Sequence, residues 1–354
     1  MALTDKENWL RTVRMTNPQF LPYVVHFSPS TWSSLGQELE DILLRHPRTW
    51  PGCRKGGYNW KSPKIPAHQD PKHDFVDLWG CRWRTTVAGN TGTVVKPALA
   101  DWAALDSYSP PDPTTYSGGL HRVDWKSIRE RLAHAKAEGR LAGGGLQHGY
   151  FLLRLEYLRG FENLMCDLAE DSPRLRRLAG IVHALNKTAV QNWIDAGAEV
   201  VHLPEDLGSQ TGSLIGPRLF RKWVTPYHKE LHDLARNAGC FTQFHCDGAI
   251  MDVADQICEI RPDVFNPQDR ANGVDNLAKA FKGRFCIALD FDRQHALPFG
   301  TPREIRELVE YEIRTLGSRN GGLIMSAEVR GPIPPQNIEA LVDSLEALST
   351  YWFE

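Results

Sequence analysis

The sequence predicts an α/β protein built as a (β/α)8 TIM-type barrel, with a loop- and hairpin-rich insertion near its N-terminus. Three observations carry this. Short apolar runs of strand length recur along the chain, and amphipathic helical patterns separate most of them. Most of these runs end in a polar or acidic residue, at the end where barrel enzymes keep their chemistry. The competitor is an open doubly wound sheet. No Gly-x-Gly-x-x-Gly lies between a strand and a helix, and no Walker-type phosphate loop is present, which lowers the nucleotide-binding readings.

In chain order, a helix is expected around 7–16, stopped by Asn17-Pro18, followed by a strand at 21–27 with His26 near its end. Trp32, Leu35, Leu39, Ile42 and Leu43 recur at helical spacing, so 30–44 reads as one helix. Residues 46–120 are rich in Pro, Gly and Trp and read as the insertion, a cover over one mouth. Within it, 63–72 is loop by chemistry. The stretches 76–86 and 93–97 flank Ala88-Gly89-Asn90 as a hairpin. Strands are then expected at 140–147, 198–204, 241–246, 263–266, 285–290 and 322–326. Helices are expected at 124–138, 152–169, 172–196, 217–238, 276–281 and 336–348. Ser172 is an N-cap with Pro173 behind it. Thr301-Pro302-Arg303-Glu304 is a capping box that starts another helix.

Bulk properties bound the function. The chain of 354 residues is read as a single barrel domain, 1–354. A formal net charge of −2 makes no electrostatic case for nucleic acid or an anionic membrane. No apolar run approaches the ~18 residues of a membrane span. The N-terminus lacks a signal-peptide pattern, and seven scattered cysteines read as reduced thiols, so a cytoplasmic protein is expected.

The strongest local signal is His245-Cys246-Asp247, at the end of a short strand and before Gly248. Residues i and i+2 of a strand share a face, so His245 and Asp247 can converge while Cys246 points away. Imidazole plus carboxylate suits Zn²⁺, and Glu328 at a distant strand end is the candidate third ligand. Cys246 is most simply a buried small hydrophobe, and a local kink would make it the alternative ligand. The same mouth collects His26, Gln147, His148, Glu205, Asp206, Asn266, Gln268, Asp290, Asp292 and Glu328. Asp206 and Asp247 can also be read as helix or turn caps, and His148 as a structural histidine.

These residues lie in motifs that resemble a known family. The motifs are Leu158-Arg159-Gly160-Phe161-Glu162-Asn163 with Asp167-Leu168-Ala169, Pro204 to Gly212, and Phe244-His245-Cys246-Asp247-Gly248. Further on come Asp263-Val264-Phe265-Asn266-Pro267, Leu297-Pro298-Phe299-Gly300-Thr301-Pro302 and Pro334-Pro335-Gln336-Asn337-Ile338. From about Trp79 onward the chain resembles the uroporphyrinogen decarboxylase superfamily, and within it the cobalamin-dependent methyltransferases. The resemblance implies a (β/α)8 barrel with its cleft at the strands' C-terminal ends.

Two departures from the family refine the expectation. The arginine-rich segment that binds porphyrinogen carboxylates is replaced here by Val25-His26-Phe27-Ser28-Pro29-Ser30, without arginine. The His-x-Cys and later Cys that hold zinc in the thiol methyltransferases are replaced by His245-x-Asp247 and a region near Glu328 without cysteine. A carboxylate-rich site is harder and better suited to polarising an oxygen than to holding a thiolate. The expected activity is therefore a corrinoid-dependent methyltransferase of the O-demethylase type. It would take a small methoxylated donor and use zinc held by His245, Asp247 and Glu328. Cobalamin would reside on a separate carrier protein. Asp206, Glu205 and Asp247 are the catalytic candidates, and His26, Gln147, His148, Asn266, Gln268 and Asp290 would line the substrate. The alternatives are a decarboxylase or lyase acting on a small acid, and a non-catalytic small-molecule- or corrinoid-binding barrel. A homodimer is left open.

Overall fold

The computed structural model describes residues 3–61 and 65–354. Residues 62–64, inside the expected insertion, lie outside the described residues. Among the described residues ten strands occur: β1 (Tyr23–Phe27), β2 (Phe75–Val76), β3 (Arg82–Arg84), β4 (Thr93–Lys96), β5 (Gly143–Gly145), β6 (Val200–His202), β7 (Phe241–Cys246), β8 (Val264–Pro267), β9 (Cys286–Asp290) and β10 (Leu323–Val329). Strands β1 and β5 to β10 overlap the seven strands expected from sequence, and helices alternate with them in the TIM-type succession. The antiparallel pair β3–β4 is the expected hairpin, with β2 added at its side. No helix among the described residues is long and apolar enough to cross a membrane.

Three helices expected to be continuous are each broken. Residues 30–44 form Pro29–Leu35 and Gln37–Arg45, residues 152–169 form Leu152–Arg159 and Phe161–Ala169, and residues 217–238 form Gly216–Trp223 and Thr225–Asn237. Apolar periodicity carries across such breaks and does not mark them. At Gly160 the backbone takes φ +81, which only glycine adopts without strain, and the helix stops there.

The chain forms two compact units. One comprises Met1–Pro71, Thr86–Thr91 and Pro267–Glu354, and the other Lys72–Thr85 and Gly92–Asn266. Residues 46–120 contribute to both units.

In the unit 72–85 and 92–266, β5, β6, β7 and β8 lie side by side. Gly143 stands opposite Val200, and Val200 opposite Phe241. Helix Pro173–Asp195 starts at the Ser172 cap and buries Leu175, Leu178, Val182 and Ala189. Two buried ion pairs brace this unit. Asp77 accepts from Arg154 at 2.8 Å and from the Trp83 indole at 2.9 Å, and also takes the backbone N–H groups of Trp79 and Cys81. Arg159 holds Asp167 at 2.9 Å, and Asp167 also accepts from the Trp102 indole.

In the other unit, β10 lies between β1 and β9, all parallel. Every residue of β9 is buried, as expected of a parallel strand covered on both faces. Helix Pro302–Leu316 starts with the expected Thr301/Glu304 capping box. Near its end Glu312 is fully buried. Burial first, and then the neighbouring charges of Asp269, Asp292 and Asp290, hold its carboxyl well above the usual range. Asp269 is itself pushed up, again mainly by burial.

The folded chain therefore keeps the Glu312 proton at pH values where the unfolded chain releases it. The contribution to stability is complete below the unfolded value of 4.5 and is lost as pH rises toward the folded value. Glu312→Gln, which cannot ionise, should flatten this decline. Urea midpoints measured from about pH 5 to about pH 8 should show the variant gaining on wild type as pH rises. A gap that stays constant or narrows would contradict this.

Candidate metal centre

The unit 72–85 and 92–266 brings together groups from four consecutive strand ends. His148 follows β5, Asp206 follows β6, His245 and Asp247 end and follow β7, and Asn266 lies in β8. Strand alternation sorts the side chains. Along β7, Thr242, Phe244 and Cys246 are buried, while Gln243 and His245 are part-exposed. Beyond β6, Glu205 is fully buried and Asp206 is part-exposed.

The Nδ1 of His245 lies 2.8 Å from the Asn266 side-chain oxygen. That oxygen can only accept, so Nδ1 carries the hydrogen and Nε2 turns toward the carboxylates. Nε2 is 3.3 Å from Asp247 Oδ1 and 3.7 Å from Asp206 Oδ1. His148 Nε2 approaches Asp206 Oδ1 to 2.8 Å. The ligand atoms of His148, Asp206 and His245 all lie within 4.8 Å of one another. Two imidazoles and a carboxylate form a donor set that fits zinc and leaves a fourth position for substrate. Asn266 orients the His245 ring, as outer partners do for histidines at metal sites.

The loops after β6 and β7 are stitched together beneath this group. Glu205 N–H donates to His245 O at 2.9 Å, Gly208 N–H to Asp247 O at 3.2 Å, and Ala249 N–H to Ser209 O at 2.7 Å. The backbones cross at two glycines. A Cβ on Gly208 would lie 2.6 Å from the Gly248 carbonyl carbon, and one on Gly248 would lie 2.4 Å from that of Gly208. Gly248 also has φ +83. The Asp247 N–H donates to Asp206 Oδ1 at 3.1 Å, so the two acidic residues are tied directly.

The residues expected from sequence fall into three groups. His148, Asp206, His245, Asp247 and Asn266 converge. Glu205 and Cys246 belong to the same unit but face inward, and Gln147, part-exposed there, is engaged elsewhere. Gln147 Oε1 accepts from the Leu120 N–H at 2.7 Å. Glu205 accepts from the N–H groups of Phe151 and Leu153, each at 2.9 Å. Cys246 is fully buried, its sulfur accepts from the Leu207 N–H, and burial pushes its thiol well up. The chain does not kink to make it a ligand.

His26, Gln268, Asp290, Asp292 and Glu328 belong to the other unit. There the Glu328 carboxylate sits 2.8 Å from Arg330 and 3.4 Å from Arg293. Asp290 holds Arg293 at 2.7 Å, Gln268 bridges to Asp290 through the backbone, and His26 is exposed opposite Glu328 in the register. The metal-competent group among the described residues comprises His148, Asp206 and His245, and it shares His245 with the ligand set expected from sequence. The sequence signal for His148 was its place just after a glycine strand. Asp206 read as a proton handler because nothing local marks a ligand.

If this group holds zinc, the purified protein should contain roughly one zinc per chain. His148→Ala and Asp206→Ala should each lose most of it, while Glu328→Ala keeps it. Metal analysis by mass spectrometry decides, and full zinc in His148→Ala would remove that residue from the set.

Residues 81–348 match the family described as uroporphyrinogen decarboxylase (URO-D). No curated protein matches the sequence. Among solved structures, a methyltransferase from Methanosarcina mazei superposes with a TM-score of 0.66 at 11% identity. The match covers 97% of this chain and 98% of that one. A B12-independent methionine synthase from Shewanella sp. W3-18-1 gives a TM-score of 0.41 at 11% identity, over 66% of this chain and 68% of that one. At these identities the first likeness is one of fold, and the second is too distant to carry an argument.

Proposed function

The chain belongs to the uroporphyrinogen decarboxylase family, and on that footing we propose that it is a corrinoid-dependent methyltransferase of the O-demethylase type. The observation that carries the reading is the convergence of His148, Asp206 and His245 at adjacent strand ends. The fold shared with a methyltransferase over nearly the whole of both chains supports it. So does the segment Val25 to Ser30, which offers no arginine for the carboxylates of a porphyrinogen.

His148, Asp206 and His245 would hold the metal. When bound, zinc supplies Lewis acidity toward the ether oxygen of the donor. Asn266 fixes the His245 ring through Nδ1. Asp247 is part-exposed beside His245, and as the carboxylic acid it would give its proton to the leaving oxygen. A corrinoid on a separate carrier protein would be the acceptor of the methyl group.

The test is methyl transfer from a panel of methoxylated donors to free cob(I)alamin, followed by absorbance. Zinc-loaded wild type should turn over at least one donor. Asp247→Asn should cost roughly 10²-fold in turnover while keeping its zinc and its melting temperature. Uroporphyrinogen should not be decarboxylated. Coproporphyrinogen formation together with silence on every methoxylated donor would favour the decarboxylase reading instead.

A further inference from the structure

Glu205 lies one residue before a proposed metal ligand, yet it faces the interior. Glu205, His228 and Tyr150 are all fully buried. Tyr150 Oη lies 2.8 Å from His228 Nδ1, and His228 Nε2 lies 2.8 Å from Glu205 Oε2. The Glu205 carboxylate can only accept, so Nε2 of His228 carries the hydrogen and the Tyr150 hydroxyl faces the bare Nδ1. His228 Nδ1 therefore accepts, and Nε2–H donates to Glu205. The other Glu205 oxygen takes the Phe151 and Leu153 N–H groups. Helix Leu152–Arg159 has no side-chain cap from its own N-cap, Phe151. Glu205 supplies that cap from the neighbouring strand end, where a carboxylate also meets the positive end of the helix.

The segment just after His148 is clamped at Gly149, Tyr150, Phe151 and Leu153. Gly149 N–H donates to Pro204 O at 3.1 Å. The Tyr150 carbonyl accepts from Asn186 Nδ2 at 2.8 Å, and its hydroxyl is on His228. Phe151 and Leu153 are on Glu205. The same carboxylate fixes the backbone just before Asp206. One buried network thus sets two ligand-bearing segments, and His148 Nε2 meets Asp206 Oδ1 where they face each other.

We infer that Glu205, with His228 and Tyr150, is a positioning network that sets His148 against Asp206, and that Glu205 transfers no proton to substrate. The inference rests on the metal reading above for its consequence, but not for its geometry. It predicts that hydrogen-bonding shape at Glu205 matters more than charge. In Glu205→Gln the amide oxygen can keep the two N–H groups, and His228 can change tautomer to accept from the amide.

The test uses the full chain and four proteins: wild type, Glu205→Ala, Glu205→Gln and Tyr150→Phe. Each is titrated with Co²⁺ alone, and the His148 ring nitrogens are followed by ¹⁵N NMR without metal. Glu205→Ala should bind Co²⁺ roughly tenfold or more weakly, the usual scale for losing an outer partner, and should displace the His148 resonances. Glu205→Gln should restore both to within about threefold of wild type and keep its methyl-transfer turnover on that scale, whereas a proton-transfer role would cost it roughly 10²-fold. Unmoved His148 resonances in Glu205→Ala would overturn the inference. So would a 10²-fold loss of turnover in Glu205→Gln with Co²⁺ affinity intact. Wild type that binds no Co²⁺, with His148 still displaced in Glu205→Ala, would overturn the metal reading and support the positioning role. Should Glu205→Ala fail to fold, Tyr150→Phe tests the network from its other end, with displaced or unmoved His148 resonances deciding in the same way.

Discussion

The unit 72–85 and 92–266 depends on a carboxylate buried without access to water. An ion in such a place costs several kcal/mol unless its lone pairs are met. Glu205 meets this with two backbone N–H groups and one imidazole. Those partners come from the start of helix Leu152–Arg159 and from the face of helix Thr225–Asn237, so one side chain locks a strand end to two helices. Leaving a buried group without its hydrogen-bond partner typically costs about 1–3 kcal/mol, and more for a charged group. The alternatives are therefore disfavoured, and the backbone next to His148 and Asp206 is tied down by these bonds.

The other half of the arrangement is made by backbone alone. The β6 and β7 loops approach more closely at Gly208 and Gly248 than any side chain allows. The Asp247 N–H reaches Asp206 across this crossing. The carboxylate thus receives its orientation from main chain, which costs no side-chain entropy to hold. The motif at Leu158 to Asp167 works in the same structural way. Arg159 stacks 3.7 Å over Trp102 and binds Asp167. What looks like a chemical signature is there a clamp between a loop and a helix end.

Polar residues at strand ends are not equivalent. Glu328 and Asp290 are occupied by guanidinium groups of Arg330 and Arg293. His148, Asp206 and His245 have donor atoms gathered in one place. The residue types are alike in both cases, and what separates them is which counter-charges the fold puts beside them.

By itself the sequence determined the α/β class, the seven parallel strands, the hairpin and the capped helix starts. Each rests on local chemistry: apolar runs of strand length, a glycine turn, Ser172 before Pro173, Thr301 with Glu304. It also determined that His245 and Cys246 would part, because alternation along a strand is a local rule. It marked Asp206 and His148 as residues of the mouth without assigning them to a metal. Tertiary structure alone decided that His148 and Asp206 stand with His245, that Glu205 faces inward, and that Glu328 is held by arginines. It also decided where the long helices break. These outcomes turn on separations of 3 to 4 Å between residues tens of positions apart, and on desolvation that a local pattern does not encode. A strand-end carboxylate reads the same in sequence whether an imidazole, a guanidinium or a pair of backbone N–H groups awaits it, and its chemistry follows from that partner.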